Sequence, residues 1–183
     1  MAKTNELSRR RFVASAASAT VAAVALRGEA SAAGPEKPKS DDTTTLTPYL
    51  LFDGTCGEAM QFYQSCLGGQ LTLTKVKDSP AKAQMSPAQQ DKVLNAHLSA
   101  GHMEISASDW LAPNQTPAPG NTVCMYLSGT NLPDLKKLFE KLSAGGKVTN
   151  PLQPTFFGAY GALNDRFGVR WMFAGKLPAT GEQ

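Results

Sequence analysis

The sequence predicts an α+β domain made of two similar halves, each in the order βαβββ. Three observations predict it. First, an apolar strand-like run, a glycine, a helical stretch and a closing Gly-Gly occur twice within 183 residues. One copy is Tyr49-Leu50-Leu51-Phe52, then Gly54, ending at Gly68-Gly69; the other is Val123-Cys124-Met125-Tyr126-Leu127, then Gly129, ending at Gly145-Gly146. Second, Ala59, Phe62, Tyr63 and Cys66 align with Leu135, Leu138, Phe139 and Leu142 at an offset of 76 residues. Both sets follow the i, i+3, i+4, i+7 spacing that gathers an apolar stripe on one side of a helix. Third, each Gly-Gly is followed by short runs that alternate apolar and polar residues, the period of half-buried strands. Two half-modules joined this way commonly enclose a site between them.

Taken in chain order, residues 1–32 read as a cleaved export signal. Ser8-Arg9-Arg10-Arg11-Phe12-Val13 is a twin-arginine motif, Val13 to Leu26 is mildly apolar and rich in alanine, and Ala30-Ser31-Ala32 offers a small-residue cleavage site. Such a run is too short and too weakly hydrophobic to span about 30 Å of hydrocarbon. The expected destination is the periplasm or the extracellular space, with the twin-arginine translocase as a partner during export and no membrane anchor after cleavage. Of 18 basic residues 13 remain after removal of the signal, and of 15 acidic residues 13 remain, so the net charge falls from +3 to zero. Only Arg166 and Arg170 survive among the arginines, which leaves no basic stripe for nucleic acid.

Residues 33–45, with Pro35, Pro38 and a Ser-Asp-Asp-Thr-Thr-Thr run, read as a flexible tether. The domain spans 46–175, with halves at about 46–112 and 120–175, and 176–183 form a disordered tail. In the first half, Tyr49–Phe52 is a strand, the stripe around Phe62 a helix, and Gln70 to Lys77 a second strand. Lys77 to Asp91 is polar with two prolines and is expected to be a surface excursion. Val93–Ser99 and Met103–Ser108 flank Ala100-Gly101 as a hairpin. Pro113, Pro117, Pro119 and Gly120 form the linker between halves. The second half supplies a strand from Val123, a helix from Asn131 or Pro133 to Ala144, and strands near 147–149, 159–164 and 169–174. The three cysteines lack C-x-x-C spacing. Cys56 and Cys66 bracket one helix at roughly 15 Å, too far for a disulfide, so free thiols are expected.

The run Pro48-Tyr49-Leu50-x-Phe52-x-Gly54-x-Cys56-x-Glu58-Ala59-x-x-Phe62-Tyr63 with Gly68-Gly69 resembles the opening of PhnB-like proteins of the vicinal-oxygen-chelate superfamily. Ala96-His97-Leu98, Ser108-Asp109 and Asp165-Arg166-Phe167-Gly168-Val169-x-Trp171 match in order, so the resemblance covers nearly all of 46–175. It implies the glyoxalase/bleomycin-resistance/dioxygenase fold: paired βαβββ modules whose mixed sheets curl around a cavity, usually within a homodimer.

Metal-dependent relatives place His or Glu on the first, fourth, fifth and eighth strands. The resemblance carries these positions onto Pro48 or Tyr49, Glu104 or Ile105, Cys124, and Met172. Only Glu104 suits a hard divalent ion by type. Neither His97 nor His102 falls on such a position, so no cofactor is expected and a divalent metal is the lesser expectation. His97 and Glu104 are the candidate catalytic residues. On the third strand Leu94, Ala96 and Leu98 share one face, so His97 points the other way, towards solvent or a cavity. Tyr49, Cys124, Trp171 and Met172 are the candidate ligand-binding residues. Asp165 and Gly168 are expected to shape a turn.

Two readings follow. One is an exported protein that binds a small molecule without the usual metal. The other is a metal-dependent lyase or dioxygenase with an altered ligand set such as His97, Glu104 and Cys124. A ubiquinone-pathway methyltransferase, a label found on similar sequences, is disfavoured because no G-x-G-x-x-G run occurs to hold S-adenosylmethionine.

Overall fold

The structure is a computed structural model that describes residues 45–113, 115–118 and 120–177. The twin-arginine segment, nearly all of the tether and most of the tail lie outside the described residues. The first half comprises β1 (Tyr49–Phe52), α1 (Cys56–Leu67), β2 (Gln70–Lys75), β3 (Val93–Ala100) and β4 (Met103–Asp109). The second comprises β5 (Met125–Gly129), α2 (Leu132–Ser143), β6 (Lys147–Thr155), β7 (Gly158–Asn164) and β8 (Arg170–Gly175). Each half folds into one four-stranded mixed sheet, ordered β1-β4-β3-β2 and β5-β8-β7-β6. In both, the first and last strands run parallel and the other pairs antiparallel. The sequence repeat is thus a repeat of topology, and neither sheet closes into a barrel. Among the described residues no helix is long and apolar enough to cross a membrane.

The helical stripes do what their spacing predicts. Ala59, Phe62, Tyr63 and Cys66 are buried, as are Leu135, Phe139 and Leu142, while Leu138 packs half-buried against the same core. In the first sheet the register puts Leu73, Ala96, Ile105 and Ala107 on the face toward α1, where Leu73 and Val93 approach Gly57. In the second, Gly161 and Gly175 let Phe139, Leu135 and Leu132 of α2 come close. One continuous core results, joined by Phe52, Phe62, Tyr63, Phe167 and Trp171, whose rings meet at centroid distances of 5.5–6.3 Å.

Two buried carboxylates fix the layout. Asp109, at the end of β4, accepts hydrogen bonds from the Cys56 and Val93 backbone N–H groups at 3.0 and 2.7 Å. Thr55 makes no side-chain cap, so this distant carboxylate serves the N-terminus of α1 instead. Asp165, between β7 and β8, accepts from Tyr63 Oη, Trp171 Nε1 and the Phe167 and Val169 amides at 2.8, 2.8, 2.9 and 3.0 Å. The expected turn is there, with Gly168 at φ 84°. Asp165 also ties α1 of the first half to β8 of the second.

Several boundaries differ from the sequence reading. β2 ends at Lys75 because Val76 turns inward and is fully buried, opening three 3-10 turns over Val76–Asp78, Pro80–Gln84 and Pro87–Gln89. A register shift between Thr74 and Lys75 puts Val93, rather than Leu94, in the core. β5 starts at Met125, with Val123 80% exposed outside it. β6 extends to Thr155 through Pro151 and Pro154, which an edge strand with irregular register accommodates.

Burial has a consequence for pH. Desolvation, and then the neighbouring Asp109 carboxylate, push the Cys56 thiol from 9.0 up to about 12. Burial and Asp165 likewise raise the Tyr63 phenol. Both groups stay protonated in the fold where an unfolded chain would ionise them. Their contribution is therefore complete below about pH 9 and is lost as pH rises toward about 12. Urea unfolding from about pH 8 to about pH 11 should show a falling midpoint, less steep in Cys56→Ala; identical slopes for the two proteins would contradict this origin.

Candidate functional site

Strand alternation gives each sheet a second face, turned away from its helix. On the first sheet it carries Thr72, His97, Ser99, Glu104, Ser106 and Tyr49, because Thr72 pairs with His97, His97 with Ser106, Ser99 with Glu104, and Tyr49 with Ser106. His97 stands at the centre of this polar set. Its Nδ1 lies 3.1 Å from Ser106 Oγ, and its Nε2 lies 2.7 Å from Glu104 Oε2. Ser99 Oγ donates to Glu104 Oε1 at 2.7 Å. The Nδ1–Ser106 contact is a hydrogen bond, whereas the Nε2–Glu104 contact is a close polar approach whose geometry leaves Oε2 without a hydrogen-bond partner. His97 and Glu104 side chains are 42% and 40% exposed, while Oε2 itself is shielded from solvent. Chemically this is an imidazole aligned by a carboxylate and a hydroxyl, able to accept or return a proton or to hydrogen-bond a polar ligand.

The matching face of the second sheet carries Cys124, Tyr126 and Met172, with Tyr126 directly opposite Met172. The Cys124 thiol donates to the Met172 thioether at 3.1 Å. Tyr126 is 60% exposed. A cavity of about 430 Å³ lies between the start of β4 and the start of β5, and Glu104, Cys124, Tyr126, Met103 and Pro48 line it. Its size is within the usual range for small-molecule sites.

The structure thus brings together most of the residues singled out from sequence. Glu104, Cys124 and Trp171 share the cavity wall; His97 joins through Glu104, and Met172 through Cys124. Tyr49 is 53% exposed and sits beside Ser106 on the His97 face, outside the cavity wall. Trp171 is 1% exposed and spends its indole N–H on Asp165, so it backs the cavity from the core side. His102 is exposed at the hairpin and also touches the cavity. Arg166 stacks over Phe62 at 4.2 Å, away from the cavity lining. Ser99, Ser106 and Tyr126 were not anticipated, although the alternation that placed His97 and Glu104 places them on the same faces. A second cavity of about 390 Å³ is lined by Asn121, Asn164, Gly168 and Arg170.

The donor set can be compared with the divalent metal that the fold family implies. Among the described residues no group of three or more His, Cys, Asp and Glu side chains gathers to hold an ion. Two of the implied positions carry sulfur, paired with each other, and the one carboxylate is engaged by His97 and Ser99. These donors do not fit a hard divalent ion.

Known proteins share this architecture. Protein YjdN of Escherichia coli (strain K12) is 30% identical over 138 residues, covering 69% of this chain and 92% of YjdN. The crystal structure of protein PA1353 from Pseudomonas aeruginosa is 33% identical with a TM-score of 0.66, covering 73% of this chain and 98% of that one. A glyoxylase/bleomycin resistance protein/dioxygenase domain from Frankia sp. EAN1pec shares the fold at 18% identity and a TM-score of 0.52, over 74% of this chain and 98% of that one. The family described as 3-demethylubiquinone-9 3-methyltransferase matches residues 44–174. The repeat, the sheet order and these matches agree: the chain belongs to that family and has the glyoxalase/bleomycin-resistance/dioxygenase fold.

Proposed function

We propose that this is an exported small-molecule-binding protein that holds its ligand between the helix-free faces of its two sheets without a hard divalent metal. The observation that carries the reading is the His97–Glu104–Ser106–Ser99 network beside a cavity of about 430 Å³. A buried carboxylate oxygen, an imidazole and two hydroxyls can orient a polar ligand, and the exposed ring of Tyr126 can pack against its apolar part. Export rests on the twin-arginine motif of the sequence. A homodimer is part of the proposal: Tyr49, Leu51 and Tyr126 expose 53%, 43% and 60% of their surface on sheet faces that helices do not cover. Methyl transfer, despite the family's description, is not proposed, since the sequence has no glycine-rich S-adenosylmethionine loop.

The second reading, a lyase or dioxygenase with an altered ligand set, has one observation in its favour. His97 is aligned between Glu104 and Ser106 as a general base would be. A thermal-shift screen of EDTA-treated protein against small polar molecules separates the two. A compound that stabilises the metal-free chain supports binding without metal. Stabilisation that requires added Mn(II), Ni(II) or Zn(II) would favour the enzyme and overturn the first reading.

A further inference from the structure

Cys124 and Met172 place two sulfur atoms in contact, at 3.1 Å, on the face of the second sheet that its helix leaves uncovered. Cys124 is partly exposed, whereas Cys56 and Cys66 are buried. Met103 lines the same cavity as Cys124. Thiolate and thioether are soft donors that suit Cu(I) and bind Mg, Ca and Mn poorly, and a pair of sulfurs leaves Zn(II) short of its usual four ligands. A monovalent ion on one thiolate also gives a neutral centre, which a half-buried site tolerates.

We propose that Cys124 and Met172 form a binding site for a soft monovalent metal ion, Cu(I) or its analogue Ag(I). Binding replaces the thiol proton: the S–H bond breaks, a sulfur–metal bond forms, and one proton leaves to solvent with no change of oxidation state. With metal–sulfur bonds of about 2.3 Å, two sulfurs on one ion stand roughly 4 Å apart. The pair must therefore open by about 1 Å, which the three rotatable bonds of methionine allow. The site goes beyond the small-molecule reading and does not depend on it.

The test uses the reduced, EDTA-treated full chain and Cu(I) held in its coloured bathocuproine disulfonate complex. Wild type should withdraw one equivalent of Cu(I). Cys124→Ser should weaken binding by more than about 100-fold and Met172→Leu by about tenfold, with melting temperatures near wild type. An excess of Zn(II) should not compete. Failure of the wild type to withdraw Cu(I), wild-type affinity in Cys124→Ser, or equal competition by Zn(II) would each overturn the proposal.

Discussion

Replacing Asp165 by alanine is expected to lower the stability of the domain by about 4 kcal/mol, a large fraction of the roughly 5–15 kcal/mol that holds a typical domain folded. Four donors converge on this carboxylate, which is only 4% exposed. Without it the Tyr63 hydroxyl and the Trp171 indole N–H are left buried without their acceptor, at about 1–3 kcal/mol each. The two amides of the turn also lose their acceptor, and the α1-to-β8 link between halves is cut. Asp165→Asn keeps an acceptor but turns an NH2 group toward donors, so it should fall between. Arg166→Ala, which removes cation–π contacts with Phe62 and Phe167 at an exposed position, should cost no more than about 1 kcal/mol. Urea unfolding of the three variants checks this ordering, and a loss below about 1 kcal/mol for Asp165→Ala would contradict the role assigned to Asp165.

The second large effect falls on the glycines that mark the repeat. Gly69 has φ +83°, and a Cβ there would run into the backbone carbonyl of Ser99 and the Ala100 Cα. Gly146 stands in the same relation to Asn164 and Asp165. In each half the second glycine lets the chain leave its helix and pass directly over the backbone of the opposing hairpin or turn. Gly69→Ala combines left-handed strain with a clash against backbone that cannot swing aside, and should cost about 3–5 kcal/mol. Gly146→Ala should cost about 2–3 kcal/mol from the clash. Gly101, at φ +67° with open space around it, is the contrast: alanine there should cost only about 1 kcal/mol. Melting temperatures that failed to separate Gly69→Ala from Gly101→Ala would contradict the close approach.

These two sites show what was legible in the sequence. The helical stripes and the paired Gly-Gly steps were readable because they are local patterns with a fixed period, and they carried the topology with them. The strand ends were less so. β2 shifts register between Thr74 and Lys75, and β6 runs through two prolines that only an edge position permits. The candidate site was legible residue by residue and much less as a constellation. Alternation placed His97 and Glu104 off the core face, but only the pairing of β3 with β4 brings Ser99 and Ser106 to them. Trp171 illustrates the limit: its neighbours on β8 give no sign that its indole nitrogen is committed to Asp165.

The central claim, that the polar face around His97 and Glu104 binds a small molecule, is tested most directly by titrating the best compound from the thermal-shift screen into metal-free wild type, His97→Ala and Glu104→Gln. The account predicts saturable one-to-one binding to wild type. It predicts affinity reduced about tenfold or more in each variant, as expected for losing a charge-assisted hydrogen bond, with unliganded stability within about 1 kcal/mol of wild type. Affinity unchanged in both variants would contradict it.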